Sequence, residues 1–385
     1  MKLIIAMSLM SSDTIGIAGS GRMGADIFHY LCDYDFSIVW LCVSGQEREK
    51  QQRAFMRRID RLHNAGMLDG AARARMIEKT SITGEIRDLG AAGIVIEAIP
   101  EDILVKRAFF RELASHVGRD AVLATNTSSI RPSLLLDQDM GRERFAGLHF
   151  FFPVKLKSIA EIIKTDHTNA RSLEVLRDLL RLTGKSFLEM HESNGFMLNR
   201  IFLDLQAQAW RFCTEGRAGT RSMDMIVRED LFPSGVFEMF DAIGLDVVCA
   251  SMENYAGYAA DAAFYKPLIG ELKRLVSLGR LGRKSGAGFY RYPDDGDGEP
   301  ASCGEAARRE ISTVLRSLYI NAACMALETG AFERDSLEFA IRECSSADRG
   351  PFSMLDETGP ETVRVKLADL YARTGLSVYR PSGLL

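Results

Sequence analysis

The stretch that most constrains this chain is residues 14–24, where a β-branched run over 14–18 opens directly into Gly19, Ser20, Gly21, Arg22, Met23 and Gly24. A helical pattern follows, with Ile27, Tyr30 and Leu31 on one face. Strand, glycine turn and helix in that order are the context in which a G-x-G-x-x-G motif is informative. Gly19 permits the tight turn, Gly21 lets the backbone approach a pyrophosphate, and Gly24 lets helix and strand pack closely. The N–H groups of the helix start then point at the phosphates. The order predicts a dinucleotide-binding, doubly wound α/β domain rather than an ordinary glycine turn.

A second strand over residues 37–43 places Cys42 where such domains carry an Asp or Glu for the adenosine ribose. The next acid is Glu47, so the usual NAD preference is not encoded, and Ser44 and Arg48 leave NADP open beside the bland reading of surface loop residues. Helical patterns cover residues 47–65 and 70–79, and a buried strand over 93–99 runs into Pro100, Glu101 and Asp102, which read as a helix start with acids in its first turn. Another strand, 121–125, empties into Asn126, Thr127, Ser128 and Ser129. Such side chains at a strand's carboxyl end either bind a ligand or cap the next turn.

His149 ends a short apolar strand over residues 145–151, and Glu161 lies on the next, 159–164. If the two strands are neighbours the residues meet as a general base, in which imidazole takes a proton and the carboxylate fixes its tautomer. The alternative is a satisfied core histidine beside a strand-edge charge.

At 385 residues the chain needs more than one core, and its 46% hydrophobic and 26% charged content is that of a folded globular protein. A net charge of -4 gives no nucleic-acid surface, and the basic cluster of Arg53, Arg57, Arg58 and Arg61 reads as a solvated helix face or an attractor of phosphorylated substrate. Seven cysteines without a CxxC or a pairing rhythm argue against a disulfide framework or metal site and for a reducing, cytoplasmic setting. Residues 1–10 are apolar but too short to span a membrane and read as an extension ahead of a start at Met7 or Met10.

The stretches GIAGSGRMG, VIEAIPED, ATNTSSI, RFAGLHFFFPV, ESNGFMLNR, FDAIGLD and GRKSGAGFYRY occur in order over nearly the whole chain. In this it resembles the 3-hydroxyacyl-CoA dehydrogenases, of the type with two C-terminal helical repeats found in multifunctional fatty-acid oxidation proteins. The resemblance implies that His149 and Glu161 are the catalytic pair, that Ser128 hydrogen-bonds the substrate's 3-oxygen, and that Asn199 helps hold the acyl group. It also implies cofactor contacts at Glu101, Lys106 and Lys284, in addition to Gly19, Ser20, Gly21, Arg22, Met23 and Gly24. Two departures remove polar cofactor contacts: Cys42 stands for the ribose-binding Asp, and Phe152 for the Asn of the family's HFFNP segment. Each lost hydrogen bond costs about 1–3 kcal/mol, which predicts roughly ten- to hundred-fold weaker NAD binding or a different cofactor.

Past residue 190 the pattern is helical, with a long amphipathic run over 196–213 that Gly216 ends. Ser222, Asp224, Gly235, Phe237, Asp241 and Gly244 return about 115 residues later as Ser336, Glu338, Gly350, Phe352, Asp356 and Gly359, which reads as a duplicated helical unit. The polar stretch 293–300 reads as the linker between copies. The expected organisation is an NAD(P)-binding domain over 12–190, a first helical domain over 191–293 and a second helical repeat over 304–385, in a monomer or homodimer without membrane or nucleic-acid partners. The expected activity is NAD(P)-dependent oxidation of a 3-hydroxyacyl-CoA thioester, or its reversal. The same chemistry on an acyl carrier protein and a dehydrogenase-like protein without turnover are the alternatives.

Overall fold

The computed structural model describes residues 13–138, 140–192, 197–257, 259–293 and 303–385. The N-terminal extension, the break at Asn194 and Gly195, and the linker beyond Pro293 lie outside the described residues. The chain divides into two units, Met1–Glu192 and Ser193–Leu385.

In the first unit, β1 (Thr14–Ala18) leads through the glycine turn to α1 (Arg22–Leu31) and β2 (Ser37–Leu41). Then come α2 (Gly45–Asn64), α3 (Gly70–Glu78), β3 (Thr80–Thr83), β4 (Ile94–Glu97), α4 (Ile103–Ala114) and β5 (Val122–Thr125). The unit closes with β6 (Phe145–Phe150), β7 (Ile159–Lys164), α5 (Ala170–Leu182) and β8 (Ser186–His191). Among the described residues the strands form one eight-stranded sheet in the order β3-β2-β1-β4-β5-β6-β7-β8. β1 to β6 pair in parallel, β6 and β7 are antiparallel, and β7 and β8 are parallel to each other. The order reverses at β1, which puts a crevice at the carboxyl ends of β1 and β4.

Both faces of the sheet are covered, so the central strands are apolar without alternation. Ile94 and Ile96 of β4 pack with Phe28, Phe55, Ile59 and Leu176 on one side, while Val95 packs with Phe110 and Leu113 on the other. Of α2 only Phe55 and Ile59 are buried, and the Arg53 to Arg61 cluster lies on its outer side, with Arg53 paired to Glu49 and Arg58 to Asp33. It is the solvated helix face. β2 stops at Leu41 and β6 at Phe150, so Cys42 and Phe151 follow their strands rather than belong to them.

The second unit is helical: α6 (Met197–Thr214), α7 (Thr220–Asp230), α8 (Val236–Ile243), α9 (Leu245–Ala256) and α10 (Ala262–Ser277), then α11 (Glu305–Glu328), α12 (Arg334–Ser345), α13 (Pro351–Thr358) and α14 (Pro360–Thr374). α6 packs along α11, which also meets α13 and α14. Asp224 on α7 caps α8, accepting from the N–H groups of Phe237 and Glu238 at 2.9 and 3.0 Å and from the Tyr290 hydroxyl at 2.7 Å. Glu338 on α12 does the same for α13, accepting from Phe352 and Ser353 N–H at 2.9 and 3.2 Å. A Cβ on Gly235 or Gly350 would lie 2.2 or 2.4 Å from the respective carboxyl group, so both caps need glycine. Asp241 holds the backbone of Phe289 and Tyr290, each at 2.9 Å, whereas its counterpart Asp356 pairs with Arg334 on the surface.

Burial pushes the Asp224 carboxyl up to about 6 against the pull of its hydrogen bonds. A group raised on folding favours the folded state below its unfolded value, near 4, and this advantage disappears as the pH rises through 6. The stability of wild type over Asp224→Asn, measured by urea unfolding, therefore shrinks by up to about 3 kcal/mol between pH 4 and 7. A constant difference across that range would exclude a proton on Asp224.

Candidate active site

The glycine turn is held from several sides. Gly19 has φ +117, and a Cβ there would stand 2.3 Å from the Ala98 carbonyl oxygen; a Cβ on Gly24 would stand 2.1 Å from that of Gly19. Gly21 has nothing within 4 Å on its Cβ side, an open approach to the backbone. The Trp40 indole N–H donates to Gly19 O at 2.8 Å and the Gln51 amide to Ser20 O at 3.1 Å, so the loop is clamped before any ligand arrives. Arg22 sits with its guanidinium 3.9 Å above the Phe152 ring, and Met23 packs on the core. The turn fits a dinucleotide pyrophosphate; past the end of β2, Cys42 is buried with its thiol pushed up to about 11, chiefly by burial.

Beside the turn, the ends of β4, β5 and α4 meet in a buried charge network. Lys106 Nζ lies 2.6 Å from Glu97 and 3.2 Å from Glu101, and Glu97 also accepts from the Thr125 hydroxyl at 2.6 Å. Burial raises the Glu97 carboxyl above its ordinary range despite Lys106. Burial would raise Glu101 as well, but Lys106 and the hydroxyls of Thr127 and Ser129 outweigh it and hold Glu101 low. Glu101 is therefore not an acid of the first helical turn; Asp102 caps α4, accepting from Leu104 and Val105 N–H at 2.8 and 3.0 Å. Glu101 turns inward and accepts from Thr127 Oγ1 at 2.5 Å, from Ser128 and Ser129 N–H at 3.1 Å each, and from Ser129 Oγ at 2.8 Å. Thr127 in turn caps Ile130 N–H at 3.0 Å, so the hydroxyl run is held by capping.

His149 and Glu161 face each other across the antiparallel β6–β7 register. His149 Nδ1 lies 2.7 Å from Glu161 Oε2, and both side chains are buried. A carboxylate accepts, so Nδ1 carries the proton and Nε2 of the neutral ring is a proton acceptor. Asn126 ties this strand end to the hydroxyl run, its Oδ1 accepting from Phe150 N–H at 2.9 Å. The loop after His149 is pinned as well: Val154 N–H donates to Asp26 at 2.5 Å, and buried Lys185 donates to the carbonyls of Val154 and Lys157 at 2.6 and 2.5 Å. Asn126 and Glu97 stood in the family-like stretches ATNTSSI and VIEAIPED, whereas Asp26 and Lys185 carried no motif signal. The Asn199 side chain lies outside the described residues; Lys284 belongs to the second unit, 2.5 Å from Asp246. Among the described residues no group of three or more His, Cys, Asp and Glu could hold a metal ion, and no helix is long and apolar enough to cross a membrane.

Residues 14–193 match the model of the 3-hydroxyacyl-CoA dehydrogenase NAD binding domain, and residues 195–292 that of the 3-hydroxyacyl-CoA dehydrogenase C-terminal domain. The chain belongs to the 3-hydroxyacyl-CoA dehydrogenase family. It is 31% identical over 282 residues to a probable 3-hydroxybutyryl-CoA dehydrogenase of Deinococcus radiodurans, covering 72% of this chain and 99% of that one. It is also 31% identical over 286 residues to the 3-hydroxyadipyl-CoA dehydrogenase of Escherichia coli, covering 74% of this chain and 60% of that relative's length. Among solved structures of the family, (S)-3-hydroxybutyryl-CoA dehydrogenase of Ralstonia eutropha superposes with a TM-score of 0.65 at 30% identity, over 74% of this chain and all of that one (100%). The Escherichia coli 3-hydroxybutyryl-CoA dehydrogenase structure covers 97% of this chain and 98% of its own with a TM-score of 0.81; at 23% identity it speaks for the fold alone. The family makes the chain an oxidoreductase with an NAD-binding domain.

Replacing Lys106 by Met leaves buried Glu97 and partly exposed Glu101 without their cation, and breaking a buried pair typically costs about 3–5 kcal/mol. Lys106→Met should lose that much stability in urea at pH 7 and recover part of it at pH 5, where a carboxyl accepts a proton. A loss below about 1 kcal/mol would show that the network does not hold the strand ends.

Proposed function

We propose that this chain interconverts a 3-hydroxyacyl thioester of coenzyme A and its 3-oxoacyl thioester with a nicotinamide cofactor, using His149 and Glu161 as the general base. The observation that carries this reading is the buried 2.7 Å contact between His149 Nδ1 and Glu161 Oε2 at the carboxyl end of β6, in a chain of this family. His149 Nε2 takes the proton of the C3 hydroxyl, and Glu161 stabilises the imidazolium while keeping the ring in the required tautomer. When bound, NAD supplies the hydride acceptor, so that the C3–H bond yields its electron pair as the C3–O bond becomes a carbonyl. In the reverse direction the imidazolium returns its proton to the 3-oxygen.

Gly19 to Gly24 would hold the pyrophosphate, with Gly21 as the point of closest approach. Ser128 and Asn199 orient the substrate oxygens, by their places in the family motifs. Glu101 and Lys106 act less as direct cofactor contacts than as supports, because their polar atoms are engaged with one another and with the turn that carries Ser128. A site fixed by such supports holds the reacting atoms in line, which is where much of the rate of a positioned reaction arises. Coenzyme A is the carrier in the names of the relatives.

His149→Gln should lower kcat by about 10²- to 10⁴-fold with an acetoacetyl thioester, since it removes the proton acceptor. NADH affinity by fluorescence titration should stay within a few-fold of wild type. Unaltered turnover would refute the assignment, and lost cofactor binding would recast His149 as a structural residue.

A further inference from the structure

We infer that the ribose end of the cofactor groove is built for a 2′-phosphate, with Arg48 as the specificity-determining residue, so that the chain prefers NADP(H) to NAD(H). The inference rests on the reading of the first unit as the cofactor domain of a dehydrogenase, and deepens it by choosing the dinucleotide.

The ribose subsite of such a fold lies at the carboxyl end of β2, where an acid selects NAD and an arginine nearby accommodates the 2′-phosphate. Here the position after β2 is Cys42, fully buried and held in place by its N–H, which donates to Thr83 O at 2.7 Å. No carboxylate projects from that position to repel a phosphate dianion. Arg48 reaches over the same spot from the first turn of α2. A Cβ built on Gly84, just past β3, would stand 2.0 Å from Arg48 Nη1 and 3.8 Å from Cys42 O. The guanidinium therefore points one nitrogen at a residue that has no side chain, beside the ends of β2 and β3. Burial and then the Glu47 carboxylate push the Cys42 thiol up, and the Arg48 charge pulls it the other way, so the guanidinium is felt at this spot.

Among the described residues Arg48 has no carboxylate partner, whereas its neighbours are engaged. Glu47 pairs with Lys50 at 2.8 Å, Arg53 with Glu49 at 3.3 Å, and Asp88 accepts from the Thr83 hydroxyl at 2.5 Å. A half-buried guanidinium left without a carboxylate partner at this subsite matches the doubly charged 2′-phosphate, two of whose tetrahedrally arranged oxygens the planar arginine fork binds with two parallel N–H donors. Ser44, exposed two residues after Cys42, adds a hydroxyl at the same edge.

Fluorescence titration of the whole protein with NADPH and NADH tests this without requiring turnover. Wild type should bind NADPH at least ten-fold more tightly than NADH. Arg48→Ala should weaken NADPH about ten-fold or more while changing NADH less than three-fold, and Cys42→Asp should invert the preference. NADH binding as tight as NADPH, or an equal loss of both in Arg48→Ala, overturns the inference and leaves the hydride-transfer reading intact. Failure of the folded protein to bind either nucleotide overturns both.

Discussion

One buried ammonium, that of Lys106, holds the catalytic end of the sheet together. It lies between two carboxylates, Glu97 at the end of β4 and Glu101 four residues later, and each carries the connection onward. Glu97 reaches Thr125 at the end of β5; Glu101 gathers the N–H groups of Ser128 and Ser129. Asn126, between those two contacts, fixes the backbone of Phe150 beside His149. Desolvating three charges is costly, and a buried pair or triad is weak grounds for stability in itself. What it provides is a single arrangement: with the cation absent the carboxylates repel, and the turn carrying Ser128 loses the acceptor that gives it shape.

The second unit uses the same device with fewer charges. Asp224, Glu338 and Asp241 are each surrounded by backbone N–H donors, and each stands against or beside a glycine that leaves room for the carboxyl group. A carboxylate accepting several N–H bonds at a helix start satisfies donors that would otherwise be orphaned. Asp241 and Asp356 show how position changes the outcome. Asp241 collects the turn of Phe289 and Tyr290, while Asp356, facing solvent, makes an ion pair with Arg334 of the kind worth about 0–1 kcal/mol.

The parts of this fold that could be read from sequence are those in which one residue type is imposed by geometry. The glycine turn is one, because Cβ atoms at Gly19 and Gly24 would overlap backbone oxygens. The His149–Glu161 pairing is another, because strand periodicity and an antiparallel neighbour suffice to bring them opposite each other. The rest depended on long-range context. Glu101 read as a helix-start acid because Asp102 beside it has the same local preference, and only the hydroxyl run twenty-odd residues on decides which of them turns inward. β3 and β8 escaped because Thr80–Thr83 is short and polar and Ser186–His191 is an edge strand with mixed faces. Lys185 could not be singled out at all: lysine is usually exposed, and here burial pushes its ammonium down to about 8 while two carbonyls and the Tyr30 ring receive it.

Phe152, which the resemblance sets against an asparagine, shows why a substitution is better judged by its neighbours than by the contact it removes. Taken alone it deletes a hydrogen-bonding group near the cofactor. In the fold its ring, 40% exposed, lies under the Arg22 guanidinium at 3.9 Å, and Arg22 opens α1 within the glycine turn. A cation over an aromatic face is worth about 0.5–1 kcal/mol at an exposed site and more when desolvated. The ring thus restrains a flexible cation at the lip of the cradle, where helix N–H groups already favour anions. Charge acts over several ångströms and does not depend on one donor angle, so the Arg22 guanidinium attracts an anion in the cradle without that contact.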